Sequence, residues 1–114
     1  MRLNHIALTV SNREESAEFY GTLFGLTQRV HDDDHLLILA NEAGDLLALS
    51  VGPIEFELPR TNHFGFMVEN KEMVLELRER FKAVGVVEAE FQAAMPTRVM
   101  VLDPDGYRVE VYAF

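Results

Sequence analysis

Two histidines stand at equivalent places in a sequence that repeats itself. Asn4-His5-Ile6-Ala7-Leu8-Thr9-Val10-Ser11-Asn12 returns as Asn62-His63-Phe64-Gly65-Phe66-Met67-Val68-Glu69-Asn70, an offset of 58 residues (63 − 5) in a chain of 114. A single histidine in a strand is ordinarily a hydrogen-bonded core or edge residue. Two at repeat-equivalent positions invite a common partner. Glu110 is the candidate, a carboxylate between Val109 and Val111, four residues after Gly106. Facing a concave interior, it must be paired, hydrogen-bonded or bound to a metal. Two imidazoles and one carboxylate form the facial ligand set of non-haem Fe(II), and serve Mn(II), Ni(II) or Zn(II) as well. Three protein ligands leave positions open for water, substrate or dioxygen, as a catalytic centre requires. A salt bridge from Glu110 to Arg98 or Arg108 is the plain structural alternative.

The elements that must hold these residues follow from periodicity. Leu3 to Val10 alternates as a strand, with Ile6, Leu8 and Val10 on one face and His5, Ala7 and Thr9 on the other. Ser11 or Asn12 caps a helix that runs to about Phe24 and stops at Gly25, with Phe19, Tyr20, Leu23 and Phe24 as buried candidates. Thr27 to Val30, Leu36 to Ala40 and Asp45 to Val51 read as strands. Asp32-Asp33-Asp34 reads as a solvated loop, and His31 and His35 as exposed loop histidines outside the cavity-facing positions.

After a packed crossover over 53–61, carrying Ile54, Phe56 and Leu58, the order repeats. Asn62 to Val68 is a strand. Lys71 to about Val84 is a helix whose core stripe is Met73, Leu77, Phe81 and Val84, stopped by Gly85. Val86 to Phe91, Arg98 to Asp103 and Tyr107 to Tyr112 are strands, the last two joined by the turn Asp103-Pro104-Asp105-Gly106. The fold class is α+β: two tandem βαβββ modules, 1–52 and 62–114, in a single domain of residues 1–114. They are expected to form a curved, eight-stranded mixed sheet around a metal-binding cavity, with one helix per module on the outer face.

Composition narrows the function classes. The net charge is −9, and the ten basic residues form no stripe, which argues against nucleic acid as a partner. No apolar stretch is long enough for a signal peptide or a membrane span. The chain has no cysteine, which excludes thiolate ligands and nucleophiles and fits a cytoplasmic location.

Parity on the last strands puts Arg98 and Met100 on the cavity side of one, and Arg108, Glu110 and Tyr112 together on the next. Arg98 is then a candidate to fix a substrate anion, and Tyr112 a proton donor or hydrogen-bonding wall. Both are candidate catalytic residues. Thr9, Met67 and Met100 are the expected walls of the substrate pocket.

These segments resemble the vicinal oxygen chelate superfamily, which includes glyoxalase I, type I extradiol dioxygenases, fosfomycin-resistance enzymes and bleomycin-binding proteins. The resemblance spans essentially the whole chain. It rests on the repeat, on Phe19-Tyr20 to Phe24-Gly25-Leu26, and on the ending Asp103-Pro104-Asp105-Gly106-Tyr107-Arg108-Val109-Glu110-Val111. It implies a divalent metal on His5, His63 and Glu110 that chelates a small substrate through adjacent oxygens, and frequent homodimers. The family also permits a fourth ligand on the closing strand of the first module. Aligning Gly44 with Gly106 puts Ala48 there, so three ligands remain. The implied activity is most like that of the His/His/Glu extradiol dioxygenases. A non-catalytic drug- or small-molecule-binding protein of the bleomycin-resistance kind is the alternative. A glyoxalase- or fosfomycin-resistance-like lyase or transferase is a further one.

Overall fold

The asparagines that close the two copies of the repeat, Asn12 and Asn70, each cap a helix. Asn12 Oδ1 accepts from the Glu15 backbone N–H at 3.0 Å, and Asn70 Oδ1 accepts from the Met73 N–H at 3.0 Å. The structure is a computed structural model that describes residues 1–54 and 57–114. The chain divides into two units, Met1–Phe56 and Glu57–Phe114. The expected packing of Phe56 in the crossover lies outside the described residues.

The first unit runs β1 (His5–Val10), α1 (Arg13–Phe24), β2 (Gln28–Asp32), β3 (Leu37–Ala40) and β4 (Leu46–Val51). Its sheet has the order β1-β4-β3-β2, with β1 parallel to β4 and the other pairs antiparallel. The second unit runs β5 (Phe64–Met67), α2 (Lys71–Ala83), β6 (Glu88–Gln92), β7 (Thr97–Leu102) and β8 (Arg108–Ala113). Its sheet repeats the pattern as β5-β8-β7-β6. The eight strands are therefore shared between two four-stranded mixed sheets, each with its own helix. α1 packs on β3 and β4, and α2 packs on β7 and β8.

Alternation decides which side chains meet the helix. In β8, Val109, Val111 and Ala113 are buried while Arg108, Glu110 and Tyr112 are half-exposed. Val99 and Val101 of β7 complete that apolar layer. Each such valine contributes about 1.5–3 kcal/mol by leaving water. In β1, Leu8 and Val10 are buried, and His5, Ala7 and Thr9 are exposed. Gly25 and Gly85 take left-handed φ values of 74° and 77°, which releases the chain from each helix end.

Three expectations change. The stripe Met73-Leu77-Phe81-Val84 is not the buried face of α2: Met73 is 38% exposed and Val84 61%, whereas Val74 and Phe81 are buried. The helix is rotated so that the row through 74 and 81 meets the sheet. In α1, Tyr20 and Leu23 are buried, but Phe19 and Phe24 are only half-buried and stack on each other and on Tyr20. The acidic run is not simply a solvated loop. Asp32 ends β2 and pairs with Arg13 at 2.6 Å, and Asp33 Oδ1 accepts from the His35 and Leu36 N–H groups at 2.8 Å each. Among the described residues, no helix is long and apolar enough to cross a membrane.

Candidate metal centre

Glu110 lies in the middle of β8 directly opposite Gly65 of β5. A Cβ at Gly65 would come within 3.1 Å of both the Cβ and the carbonyl oxygen of Glu110. The glycine leaves the carboxylate room to lie across its neighbour strand. The corresponding pair in the first unit is Ala7 opposite Ala48, so the register places Ala48 where Glu110 sits in the second.

His63 precedes β5 by one residue. Its Nδ1 donates to the Thr61 carbonyl at 2.7 Å. That bond orients the ring and makes Nε2 the lone-pair nitrogen of the neutral imidazole. Nε2 faces Glu110 Oε2 at 3.3 Å. A lone pair against a carboxylate is repulsive unless a cation stands between them, either a proton on the ring or a metal ion. Two ligands about 2.1 Å from one ion, separated by roughly 90–110°, stand about 3.0–3.4 Å apart. The separation and the N/O chemistry therefore fit a borderline or hard divalent ion. Backbone-locked imidazole is also the usual support of a metal-binding histidine.

His5 opens β1 in the other unit and is exposed. Its Nδ1 lies 3.3 Å from Asn4 Oδ1. With Nδ1 as the donor, Nε2 is the lone-pair nitrogen of the neutral His5 ring, as it is for His63. Among the described residues, no three His, Asp or Glu side chains are grouped so as to hold a metal ion. The structure brings together His63 and Glu110 of the expected set.

Arg98 lies between two carboxylates. Its Nη1 is 3.4 Å from Glu110 Oε1 and 3.2 Å from Glu90 Oε2. Arg60, from the segment before β5, holds Glu90 Oε1 at 2.6 Å through Nη2 and 2.8 Å through Nε. Arg60 first, and Arg98 second, keep the Glu90 carboxyl below the ordinary glutamate range. These residues, with Thr61, His63 and Met100, line a cavity of about 510 Å³ in the second unit.

Arg60 and Glu90 are absent from the sequence-derived candidates, and a register shift explains the second. β6 pairs Glu88 with Val101 but Glu90 with Met100, so an irregularity at Ala89 turns the two glutamates to opposite faces. Glu88 meets Arg78 of α2 at 2.6 Å, and Glu90 enters the cavity. β2 carries the same irregularity at Val30. It sends Arg29 to Glu14 of α1 at 2.6 Å and sets His31 opposite Ile38, a face the uninterrupted alternation does not predict. His31 is exposed and bonds Asp33 Oδ2 at 2.8 Å.

The remaining candidates scatter. Met100 is buried in the cavity wall. Met67 is 69% exposed and lies opposite Tyr112, whose ring packs edge-on against Phe114 at 5.9 Å. Neither residue lines that cavity. Thr9 is exposed in β1, with Gly52 against its methyl group.

Comparison with known proteins agrees with this architecture. Residues 2–111 match the model of the Glyoxalase/Bleomycin resistance protein/Dioxygenase superfamily, and the chain belongs to that superfamily. A trivalent organoarsenical cleaving enzyme from Bacillus sp. (strain MD1) is 28% identical, covering 98% of this chain and 73% of the relative. The structure of a possible glyoxalase from Bacillus cereus is 29% identical with a TM-score of 0.84, covering 98% of both chains. The fosfomycin resistance protein FosX from Listeria monocytogenes is 22% identical with a TM-score of 0.85, covering all of this chain and 93% of its own. A mutant of that FosX, 21% identical to this chain with a TM-score of 0.83, is complexed with Mn(II) and 1S,2S-dihydroxypropylphosphonic acid, so a protein of the same fold binds a divalent metal and a small molecule.

Proposed function

We propose that this superfamily member is a divalent-metal-dependent enzyme of the extradiol dioxygenase type, acting on a small molecule that chelates through adjacent oxygens. His5, His63 and Glu110 are its metal ligands in this reading. The observation that carries it is the placement of His63 Nε2 at 3.3 Å from Glu110 Oε2, with the other ring nitrogen bonded to the Thr61 carbonyl. A metal bound there supplies Lewis acidity toward vicinal oxygens and, as iron, a place for dioxygen.

The chain's own residues do the rest. The Thr61 carbonyl fixes the His63 ring, Gly65 keeps the strand clear for Glu110, and Arg98 holds Glu110 Oε1 so that Oε2 is turned to His63. In this reading Arg98, shared between Glu110 and Glu90, is also a donor toward negative charge on a bound ligand. Tyr112, on Glu110's strand face, is in the same reading a candidate proton donor, and Thr9, Met67 and Met100 are pocket walls, of which Met100 lines the cavity around Glu110. The reading includes a single domain of two modules joined across 53–61, a homodimer and a cytoplasmic location.

A drug-binding protein without catalysis is the competing reading, and it has no need of a locked imidazole facing a carboxylate. Cleavage of a trivalent organoarsenical is a further activity to assay, suggested by the Bacillus relative. Trivalent arsenic is thiophilic, and this chain would have to hold it without thiolates.

Elemental analysis of the purified protein, followed by anaerobic reconstitution with Fe(II), Mn(II), Ni(II) or Zn(II), tests the assignment. His5→Ala, His63→Ala and Glu110→Gln are each expected to lose the metal while remaining folded. Oxygen uptake with a catechol panel and with trivalent arsenicals then tests the chemistry. A protein that retains none of the four metals sinks the metalloenzyme reading, and oxygen uptake with no catechol sinks its dioxygenase form.

A further inference from the structure

Glu90 has an odd place in the cavity. It ties up two guanidinium groups that would otherwise be the natural anchors for an anionic ligand. Its two oxygens are divided between them: Oε1 takes Arg60 at 2.6 and 2.8 Å, and Oε2 takes Arg98 at 3.2 Å. This is how a ligand carboxylate or phosphonate would sit between two arginines. The β6 irregularity at Ala89 is what puts Glu90 there; unbroken alternation from Glu88 would point it to the helix side with Glu88 itself.

Charge counting agrees. The cavity lining holds two arginines and two glutamates, so its side chains cancel apart from the histidine. An incoming anion must displace Glu90 and forfeit the charge-assisted bonds it makes.

We infer that the Glu90 carboxylate occupies, from within the chain, the seat between Arg60 and Arg98 where an anionic group of a ligand would lie. It thereby sets the cavity to admit chelators that bring no separate acidic group. Glu90 is a specificity-determining residue on this account. The inference rests on the reading of this cavity as the substrate site, but its test does not depend on metal binding.

The test is titration of the full chain with inorganic phosphate and with methylphosphonate, followed by calorimetry, on protein as purified and after chelator treatment. Wild type is expected to show no saturation at millimolar anion. E90Q is expected to bind about tenfold or more tightly, because Arg60 is released and Arg98 keeps Glu110 alone of its two carboxylates, without loss of volume. Adding R98M to E90Q is expected to abolish the gain. E90D, which keeps the charge but is too short to reach both arginines, is expected to show a smaller gain.

Wild-type binding as tight as that of E90Q overturns the inference, as does a gain that survives R98M, or a folded E90Q with no gain. Loss of fold in both E90Q and E90D makes Glu90 a structural residue and overturns it too. If the chelator-treated protein behaves as expected while no metal is retained, the anion seat stands and the metalloenzyme reading falls.

Discussion

Gly65 stands directly across the β5–β8 ladder from Glu110, and its missing side chain is the space the glutamate uses. A methyl group at position 65 would press on the Glu110 Cβ and carbonyl oxygen, each at 3.1 Å, and would lie 3.5 Å from Oε2. The contact with a backbone atom cannot be relieved by a rotamer change alone. Gly65→Ala should therefore destabilise the protein by about 1–3 kcal/mol, the usual range for overpacking. It should also weaken metal retention by about tenfold or more, as changes behind a ligand do. Urea unfolding and metal titration measure the two effects separately. Unchanged metal affinity would mean that Glu110 does not need this clearance.

The rotation of α2 gives a second prediction. Phe81 is 2% exposed, and Phe81→Ala should cost about 3–5 kcal/mol. Val74→Ala should also destabilise clearly, because Val74 is fully buried. Met73→Ala and Val84→Ala, on exposed positions, should stay within about 0.5 kcal/mol of wild type. Chemical denaturation of the four variants decides between the two helix faces, and a large loss at Met73 would contradict the packing described.

The contrast between α2 and β8 shows what sequence made legible. In a half-buried strand, alternation admits only two answers, so Val109 and Val111 against Arg108, Glu110 and Tyr112 could be read directly. On α2, two apolar rows share Phe81, and only packing on β7 and β8 selects the row with Val74. The repeat singled out His5 and His63, and alternation singled out Glu110, which the structure brings to 3.3 Å from His63; the turn glycines aligned Ala48 with Glu110, as the register also does. Glu90 stayed hidden because one extra residue at Ala89 reverses the parity of its strand, and nothing in Glu88-Ala89-Glu90 announces that. Arg60 stayed hidden because it lies outside any periodic element, and a connector has no face to read.

The lock on His63 predicts a tautomer. In water the neutral imidazole is free to carry its proton on either nitrogen, but the Thr61 carbonyl at 2.7 Å requires it on Nδ1. Nitrogen-15 correlation spectra of the neutral ring in chelator-treated protein should therefore show Nδ1 protonated and Nε2 bare. Addition of Zn(II) should move the Nε2 resonance and leave the Nδ1–H in place. A ring found in the Nε2–H form would mean that Nε2 donates to Glu110, and would remove the geometric support for a metal.

Ser16 gives a prediction in the opposite direction. It is fully buried in α1, and its Oγ has no hydrogen-bond partner among the described residues. A buried hydroxyl without a partner has lost its water for nothing in return, and serine is a weaker helix former than alanine. Ser16→Ala should stabilise the protein by about 1 kcal/mol, read as a higher urea midpoint at unchanged m-value. A loss of stability would show that the hydroxyl is bonded in solution.

Asp33 should give the first unit an acid-sensitive corner. Its carboxylate accepts from the His35 and Leu36 N–H groups and from His31, and these bonds lower its pKa from 3.8 to about 2, with the His35 amide the largest cause. A carboxyl with a depressed folded-state pKa stabilises the fold above its unfolded pKa, and that stabilisation is lost as pH falls through the folded value. The window for Asp33 therefore runs from about pH 4 down to about pH 2. Asp33→Asn keeps an oxygen for the two amides but removes the charge. Its stability deficit relative to wild type should be constant above about pH 5 and shrink steadily below about pH 4. Urea unfolding of both proteins across that range measures the difference directly, which cancels the contributions of Glu14, Glu88 and Glu90, whose carboxyls are also depressed by arginine partners. A deficit that stays flat down to about pH 2 would show that the Asp33 turn is held by its geometry and not by its charge.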